Sequence, residues 1–283
     1  MASATWVATA LYLDVQCEPK PTVAATCVVL SITRRGAVLR GRTRWAGSAR
    51  RCNVGKGNEI APALLMTVTD QALDLGYVLL PAYEPFETGE LIAGRLGRPL
   101  CLGAGSAVHN LTPVATENST PNTYSGIYGL ERFPFHTDFA HWRYPPRYLM
   151  LRCVAGFEEV PTLLIDGYQL VQQVGGSSLS RALVRPRRPV RGKLPLLRLY
   201  QRVACHSLLR WDEMFLRPAS PIGEAGIQAL RAAIALENPI SVALARRGDT
   251  LILDNWRMLH SRSAIPNGCE DRLLERAYLE ALN

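Results

Sequence analysis

The sequence has no long apolar run. A transmembrane helix needs about 20 consecutive apolar residues, and no run of that kind occurs in the 283 residues. The apolar opening, residues 1–13, lacks the basic stretch with which a secretory signal begins. We therefore expect a soluble protein that is not exported and has no membrane partner.

Cysteine is scattered rather than clustered. The seven cysteines stand at positions 17, 27, 52, 101, 153, 205 and 269. Their number is odd and none forms a Cys-x-x-Cys pair, so the sequence favours neither a disulfide framework nor a zinc knuckle. A reducing compartment fits this pattern, and we expect a cytoplasmic protein.

Acidic residues are absent between Asp166 and Asp212, although the whole chain has a net charge of +8. The basic residues of this stretch are Arg181, Arg185, Arg187, Arg188, Arg191, Lys193, Arg198, Arg202 and Arg210. Such a surplus can attract nucleic acid, because basic side chains neutralise phosphates. No aromatic pattern for base stacking accompanies it, so residues 181–210 are interpreted as a solvated basic insert and a nucleic-acid partner is not expected.

The composition is that of a globular protein, with 48% hydrophobic and 20% charged residues. Residues 1–58 show no sustained helical or strand period and are predicted to be an N-terminal elaboration. Residues 59–283 are predicted to form one folded domain.

The hydrophobic pattern of this domain predicts short strands and a few amphipathic helices. Helices are expected at 59–75, 88–96 and 224–236, and strands at 77–80, 135–139, 148–154, 162–165, 241–245 and 250–254. The last two strands are predicted to be joined by a tight turn at Gly248 and Asp249. Residues 108–133 are predicted to be a long loop that serves as a lid, and the type of 272–282 stays open. This order favours a mainly β fold with flanking helices, a barrel or jelly roll, over βαβ units.

Histidine is scarce, with five residues at positions 109, 136, 141, 206 and 260. Alternate side chains of a strand share one face, so His136 and Asp138 would present two ligands to one point. His260 is the candidate third ligand. Two imidazoles and one carboxylate leave positions of an iron(II) octahedron open. The alternative is that His136 is a core histidine and His260 an unrelated surface residue.

Three motifs carry a family resemblance: Phe133-Pro-Phe-His136-Thr-Asp138, Asp254-Asn255-Trp-Arg-Met-Leu-His260-Ser-Arg262 and Arg272-Leu-Leu-Glu-Arg276. They resemble the taurine dioxygenase and clavaminate synthase-like family of Fe(II)- and 2-oxoglutarate-dependent oxygenases. The resemblance covers roughly residues 60–283 and implies a double-stranded β-helix, a cupin-like jelly roll, for the domain at 59–283. It implies that His136, Asp138 and His260 are the catalytic iron ligands.

The resemblance also implies how the cosubstrate 2-oxoglutarate is bound. Arg272 is expected to bind its C5 carboxylate. Thr162 occupies the position of a threonine that contacts a 2-oxoglutarate carboxylate in the family, where Gly-Gly usually precedes it in place of residues 158–161 here. Arg276 is expected to reinforce Arg272 or to bind an acidic group of the substrate, because a step of four keeps both arginines on one face.

The implied reaction is hydroxylation or desaturation of a C–H bond in a small, carboxylate-bearing metabolite or natural-product intermediate. Dioxygen and 2-oxoglutarate would be consumed, and succinate and carbon dioxide released. The carboxylate of Asp138 favours this chemistry over halogenation, which needs a vacant ligand position for chloride. Two other classes stay open: a catalytically silent jelly-roll binding module, and a basic nucleic-acid-binding or modifying protein. The sequence specifies neither the substrate nor the oligomeric state.

Overall fold

The structure is a computed structural model that describes residues 67–102, 105–190 and 192–283. The predicted N-terminal elaboration at 1–58, the first part of the helix predicted at 59–75 and Arg191 of the basic insert lie outside the described residues. The division of the chain into 1–58 and 59–283 therefore stays a prediction.

The described residues form six α-helices, five of which begin at a residue whose side chain caps them. They are α1 (Val68–Leu75), α2 (Gly89–Leu96), α3 (Tyr124–Tyr128), α4 (Gly167–Val174), α5 (Gly176–Arg181) and α6 (Pro221–Leu236), with a 3-10 turn at Thr116–Asn118. Thr67 and Asp70 form a capping box at the start of α1, which ends at Gly76 with a φ of 80°. The side chain of Thr88 caps α2 by accepting the Leu91 N–H.

The described residues form fourteen strands, which are short and pair antiparallel. They are β1 (Tyr77–Leu80), β2 (Gly97–Pro99), β3 (Val108–Leu111), β4 (Tyr148–Ala155), β5 (Thr162–Asp166), β6 (Leu183–Pro186), β7 (Leu197–Arg198), β8 (Tyr200–Val203), β9 (His206–Leu209), β10 (Leu216–Pro218), β11 (Ile240–Val242), β12 (Thr250–Asp254), β13 (Met258–Arg262) and β14 (Leu273–Leu282). The segment whose type the sequence left open is thus the longest of them.

Two of the sheets, which we call the core sheets, share one of the buried clusters of the described residues. The larger has six strands in the order β1-β12-β4-β14-β2, with β3 also paired to β14, and the smaller has the order β11-β5-β13. Their facing side chains, such as Leu151 and Leu274 on one sheet and Leu164 on the other, form one buried cluster. The other face of the large sheet packs under α1 and α2. This mainly β architecture with flanking helices confirms the predicted fold class.

Two strand predictions were wrong. Residues 135–139 form no regular strand: His136 makes a single bridge to His260, while the Thr137 N–H pairs with the Trp211 carbonyl. The predicted hairpin at 241–254 also fails, because β11 pairs with β5 and β12 pairs with β1 and β4. The carboxylate of Asp249 accepts the N–H groups of Ala245 and Arg246, so a side chain rather than a strand pair closes this turn.

The predicted loop at 108–133 and the basic insert hold more regular structure than expected. The loop contains β3 and α3, the latter capped by Thr123. In the basic stretch, Arg210 is not solvated but fully buried, where it donates to the carbonyls of Arg198, Ala140, Trp142 and Arg143.

None of the helices in the described part of the chain is long and apolar enough to cross a bilayer.

Candidate metal centre

His136, Asp138 and His260 meet at one point between the two core sheets. One ligand atom from each lies within 4.8 Å of the others. The Oδ1 atom of Asp138 is 3.4 Å from Nε2 of His136 and 3.7 Å from Nε2 of His260. Two imidazole nitrogens and one carboxylate oxygen are a donor set typical of non-haem iron(II), and they fit that metal here.

The pKa values of the two histidines shift in opposite directions. Burial opposes the charged form of His136, but its contact with Asp138 outweighs burial and raises its pKa. Nδ1 of His136 lies 2.9 Å from the Pro134 carbonyl, an arrangement that places a proton on Nδ1 and a lone pair on Nε2. Burial lowers the pKa of His260 to about 3 and so keeps it neutral. Burial would raise the pKa of Asp138, but its interactions with His136, His260 and Arg276 outweigh burial and lower that pKa.

The backbone of Asp138 is fixed by Asn255, which the sequence interpretation did not single out. The side-chain Oδ1 of Asn255 accepts the Asp138 N–H at 2.7 Å, and its Nδ2 donates to the Asp138 carbonyl at 3.0 Å. Asn255 thus takes the place of a strand partner for Asp138. Its position in the motif with His260 was the available signal.

The strand β14 supplies a row of side chains to the same site. Leu274, Arg276 and Tyr278 alternate along β14 and line one cavity together with Arg272, which directly precedes the strand. The hydroxyl of Tyr278 donates to Oδ2 of Asp138 at 2.6 Å, and Nη1 of Arg276 is 3.9 Å from the same oxygen. Tyr278 was not among the residues predicted from the sequence.

The cavity has a volume of about 450 Å³ and contains the three donor residues together with Thr162, Arg272 and Arg276. The structure therefore brings every sequence-predicted site residue into one space, of a size typical of small-molecule sites. Arg272 is 5% exposed. Among the described residues it forms no ion pair, and its Nε atom has no hydrogen-bond partner. A buried guanidinium of this kind is suited to an anionic ligand.

The segment predicted as a lid covers the other side of the cavity. Residues Leu111–Pro113 and Asn122–Ser125 line it. The ring of Tyr124 stacks on His136 with centroids 4.2 Å apart. Asp212, which is 4% exposed, lies on the same wall and accepts the N–H groups of Met214 and Phe215. Asp212 was missed because it lies at the end of the basic stretch, far from any motif.

One sequence family matches part of the chain. The model of the taurine catabolism dioxygenase TauD, TfdA family matches residues 180–278. That segment includes His260, Arg272 and Arg276, whereas His136 and Asp138 precede it. No curated protein matches the chain significantly.

Several solved structures share the fold. Asparagine oxygenase, solved with Fe(II), 2S,3S-3-hydroxyasparagine and succinate, is 18% identical, with a TM-score of 0.51 over 65% of this chain and 60% of its own length. The non-haem iron oxygenase OrfP, solved with iron, succinate and (3S)-hydroxy-L-Arg, is 21% identical, with a TM-score of 0.53 over 67% of this chain and 62% of that one. PvcB from Pseudomonas aeruginosa is 19% identical, with a TM-score of 0.55 over 74% and 77%. These matches confirm the resemblance and the jelly-roll fold predicted from the motifs.

Proposed function

We propose that this chain, which resembles the TauD/TfdA family in sequence and fold, is an Fe(II)- and 2-oxoglutarate-dependent dioxygenase. It oxidises a C–H bond of a small, carboxylate-bearing metabolite, by hydroxylation or desaturation, and releases succinate and carbon dioxide. Iron held by His136, Asp138 and His260 would supply the redox chemistry, and the rest of the cavity would hold and orient the two organic molecules.

The observation that carries this proposal is the pairing of an open donor triad with a buried, unpaired guanidinium in one cavity. Arg272 lines the cavity of the triad and has no acidic partner among the described residues. A dicarboxylate can bind there with one end at the metal and the other at Arg272. Thr162, 4% exposed on β5, lines the same cavity and offers a hydroxyl to a carboxylate.

Arg276 is the candidate for the substrate's acidic group. Its side chain is 31% exposed, its Nε has no hydrogen-bond partner in the described structure, and it lies on the cavity wall. The structural neighbours asparagine oxygenase and OrfP were solved with hydroxylated amino acids. This supports an amino-acid-like substrate whose carboxylate pairs with Arg276 while Leu111, Leu149 and other apolar side chains exclude water.

The proposal is tested by measuring succinate formed from 2-oxoglutarate with Fe(II) and ascorbate in air. We expect a basal rate that Asp138→Ala abolishes and that His206→Ala, on the separate β8–β9 hairpin, preserves. A panel of L-amino acids is then screened for faster succinate release and for a product heavier by one oxygen atom or lighter by two hydrogens.

Two results would contradict the proposal. One is the absence of succinate at saturating iron and 2-oxoglutarate, which is the result expected of a jelly-roll binding module without catalytic activity. The other is an equal rate in Asp138→Ala, because succinate would then form away from the triad.

A further inference from the structure

The two carboxylate oxygens of Asp138 have different partners. Oδ1 is directed to Nε2 of His136 and His260, at 3.4 and 3.7 Å. Oδ2 accepts the hydroxyl proton of Tyr278 at 2.6 Å. A neutral donor at that distance makes a strong hydrogen bond to an ionised acceptor. One oxygen is thus available to a metal, and the other is occupied by the protein.

The hydroxyl of Tyr278 is held firmly where it is. Tyr278 is 2% exposed, and the ring of Phe139 packs edge-on against it with centroids 5.1 Å apart. The guanidinium of Arg276 lies 5.2 Å from the centre of the Tyr278 ring, on the same face of β14. At the other end of the hydrogen bond, Asn255 fixes the peptide groups of Asp138. The carboxylate therefore has little freedom to rotate about its terminal bond.

We propose that Tyr278 is a positioning residue that keeps Asp138 a one-oxygen ligand. The inference rests on the metal site of the proposed function and adds a role for a residue outside the three motifs. An octahedral ion with three protein donors keeps three positions, and a keto acid chelate plus dioxygen need all of them. If Oδ2 also bound the metal, one of these positions would be lost. By occupying Oδ2, Tyr278 leaves free the coordination position that dioxygen needs.

The first test needs no variant. Infrared difference spectra of the whole protein with and without Co(II) report how a carboxylate binds, because one-oxygen binding separates its antisymmetric and symmetric stretches widely and two-oxygen binding brings them together. We expect the wide separation in the wild-type protein, with the bands assigned to Asp138 by their loss in Asp138→Ala. A narrow separation would overturn the inference.

The second test removes the hydroxyl alone. Tyr278→Phe is expected to weaken Co(II) binding by about 10- to 100-fold, the usual effect of losing a hydrogen bond to a metal ligand, and to narrow the carboxylate separation. Tyr148→Phe is the matched control, since Tyr148 is buried on the neighbouring strand β4 but packs in the cluster on the opposite face of the sheet. Calorimetric titration with Co(II) alone gives the dissociation constants.

The outcomes distinguish this inference from the proposed function. If wild-type protein binds Co(II) and Tyr278→Phe binds it equally tightly with an unchanged infrared spectrum, the role of Tyr278 is refuted while the metal site stands. If wild-type protein binds no Co(II) at the triad, the proposed function and this inference fail together. Equal weakening in Tyr148→Phe would show a general effect of the substitution and would also refute a specific role.

Discussion

Replacement of Arg272 is the perturbation that separates cosubstrate binding from stability most sharply. Its guanidinium is buried, and burial lowers its pKa to about 10. Without an ion pair among the described residues, the charge is uncompensated in the free protein. An apolar side chain such as methionine in this place is therefore expected to leave the free energy of unfolding of the free protein unchanged or to raise it.

The effect on 2-oxoglutarate binding should have the opposite sign. Hydrogen bonds to charged groups contribute about 1.5 to 3 kcal/mol, and about 1.4 kcal/mol corresponds to a tenfold change in affinity. Loss of Arg272 should therefore weaken 2-oxoglutarate binding by about 10- to 150-fold. Arg272→Lys should recover only part of this, because an ammonium cannot reproduce the planar fork of the guanidinium.

The assay is anaerobic calorimetric titration of the Fe(II)-loaded protein with 2-oxoglutarate, combined with thermal unfolding of the metal-free protein. Arg198→Ala, an exposed arginine on β7, is the control and should change neither quantity. Unchanged 2-oxoglutarate affinity in Arg272→Ala, or a large loss of stability in Arg272→Met, would refute the reasoning from its burial and missing partner.

Three further predictions concern the rest of the site. Alanine in place of His136, Asp138 or His260 should abolish turnover and weaken iron binding, while circular dichroism should show that the protein is still folded. Full activity of one of these variants at limiting iron would show that the replaced residue is not a metal ligand. Arg276→Ala should leave the 2-oxoglutarate dissociation constant and basal succinate formation nearly unchanged but impair coupled oxidation of the true substrate; a loss of cosubstrate affinity here but not in Arg272→Ala would reverse the two assignments. Alkylation of the cysteines should leave activity largely intact, because no cysteine lines the described cavity, whereas complete inactivation that 2-oxoglutarate prevents would reveal one in the site.

The clustering of His136, Asp138 and His260 could be predicted from the sequence, although the local structure expected for them was wrong. His136 and Asp138 were placed on one face by assuming a strand, yet only His136 makes a bridge, and Asn255 holds the peptide groups of Asp138. The structure nevertheless brings the three side chains together, because a His-x-Asp motif and a distant histidine point to metal binding through their side chains, whatever the backbone that presents them. The backbone that presents them is set by long-range hydrogen bonds that no local pattern encodes.

The contact between Tyr278 and Asp138 could not be predicted from the sequence. Had residues 272–282 been identified as a strand, alternation would have placed Tyr278 on the face of Arg276. Its partner Asp138 is 140 positions away in the chain, and that contact depends on how β14 pairs with β4 and on where the irregular segment after His136 lies. The hairpin at Gly248 failed for a related reason, because the side chain of Asp249 satisfies the turn and leaves β11 and β12 to different sheets.

We propose that one cavity holds Fe(II) on the triad and 2-oxoglutarate on both the metal and Arg272. Anaerobic titration of the metal-free protein with Fe(II) and then 2-oxoglutarate tests it most directly, because a keto acid chelated to iron(II) gives a visible charge-transfer band. We predict that this band develops to saturation at one equivalent of iron and is lost in Asp138→Ala. Its absence in the wild-type protein at high protein and iron concentrations would contradict the account.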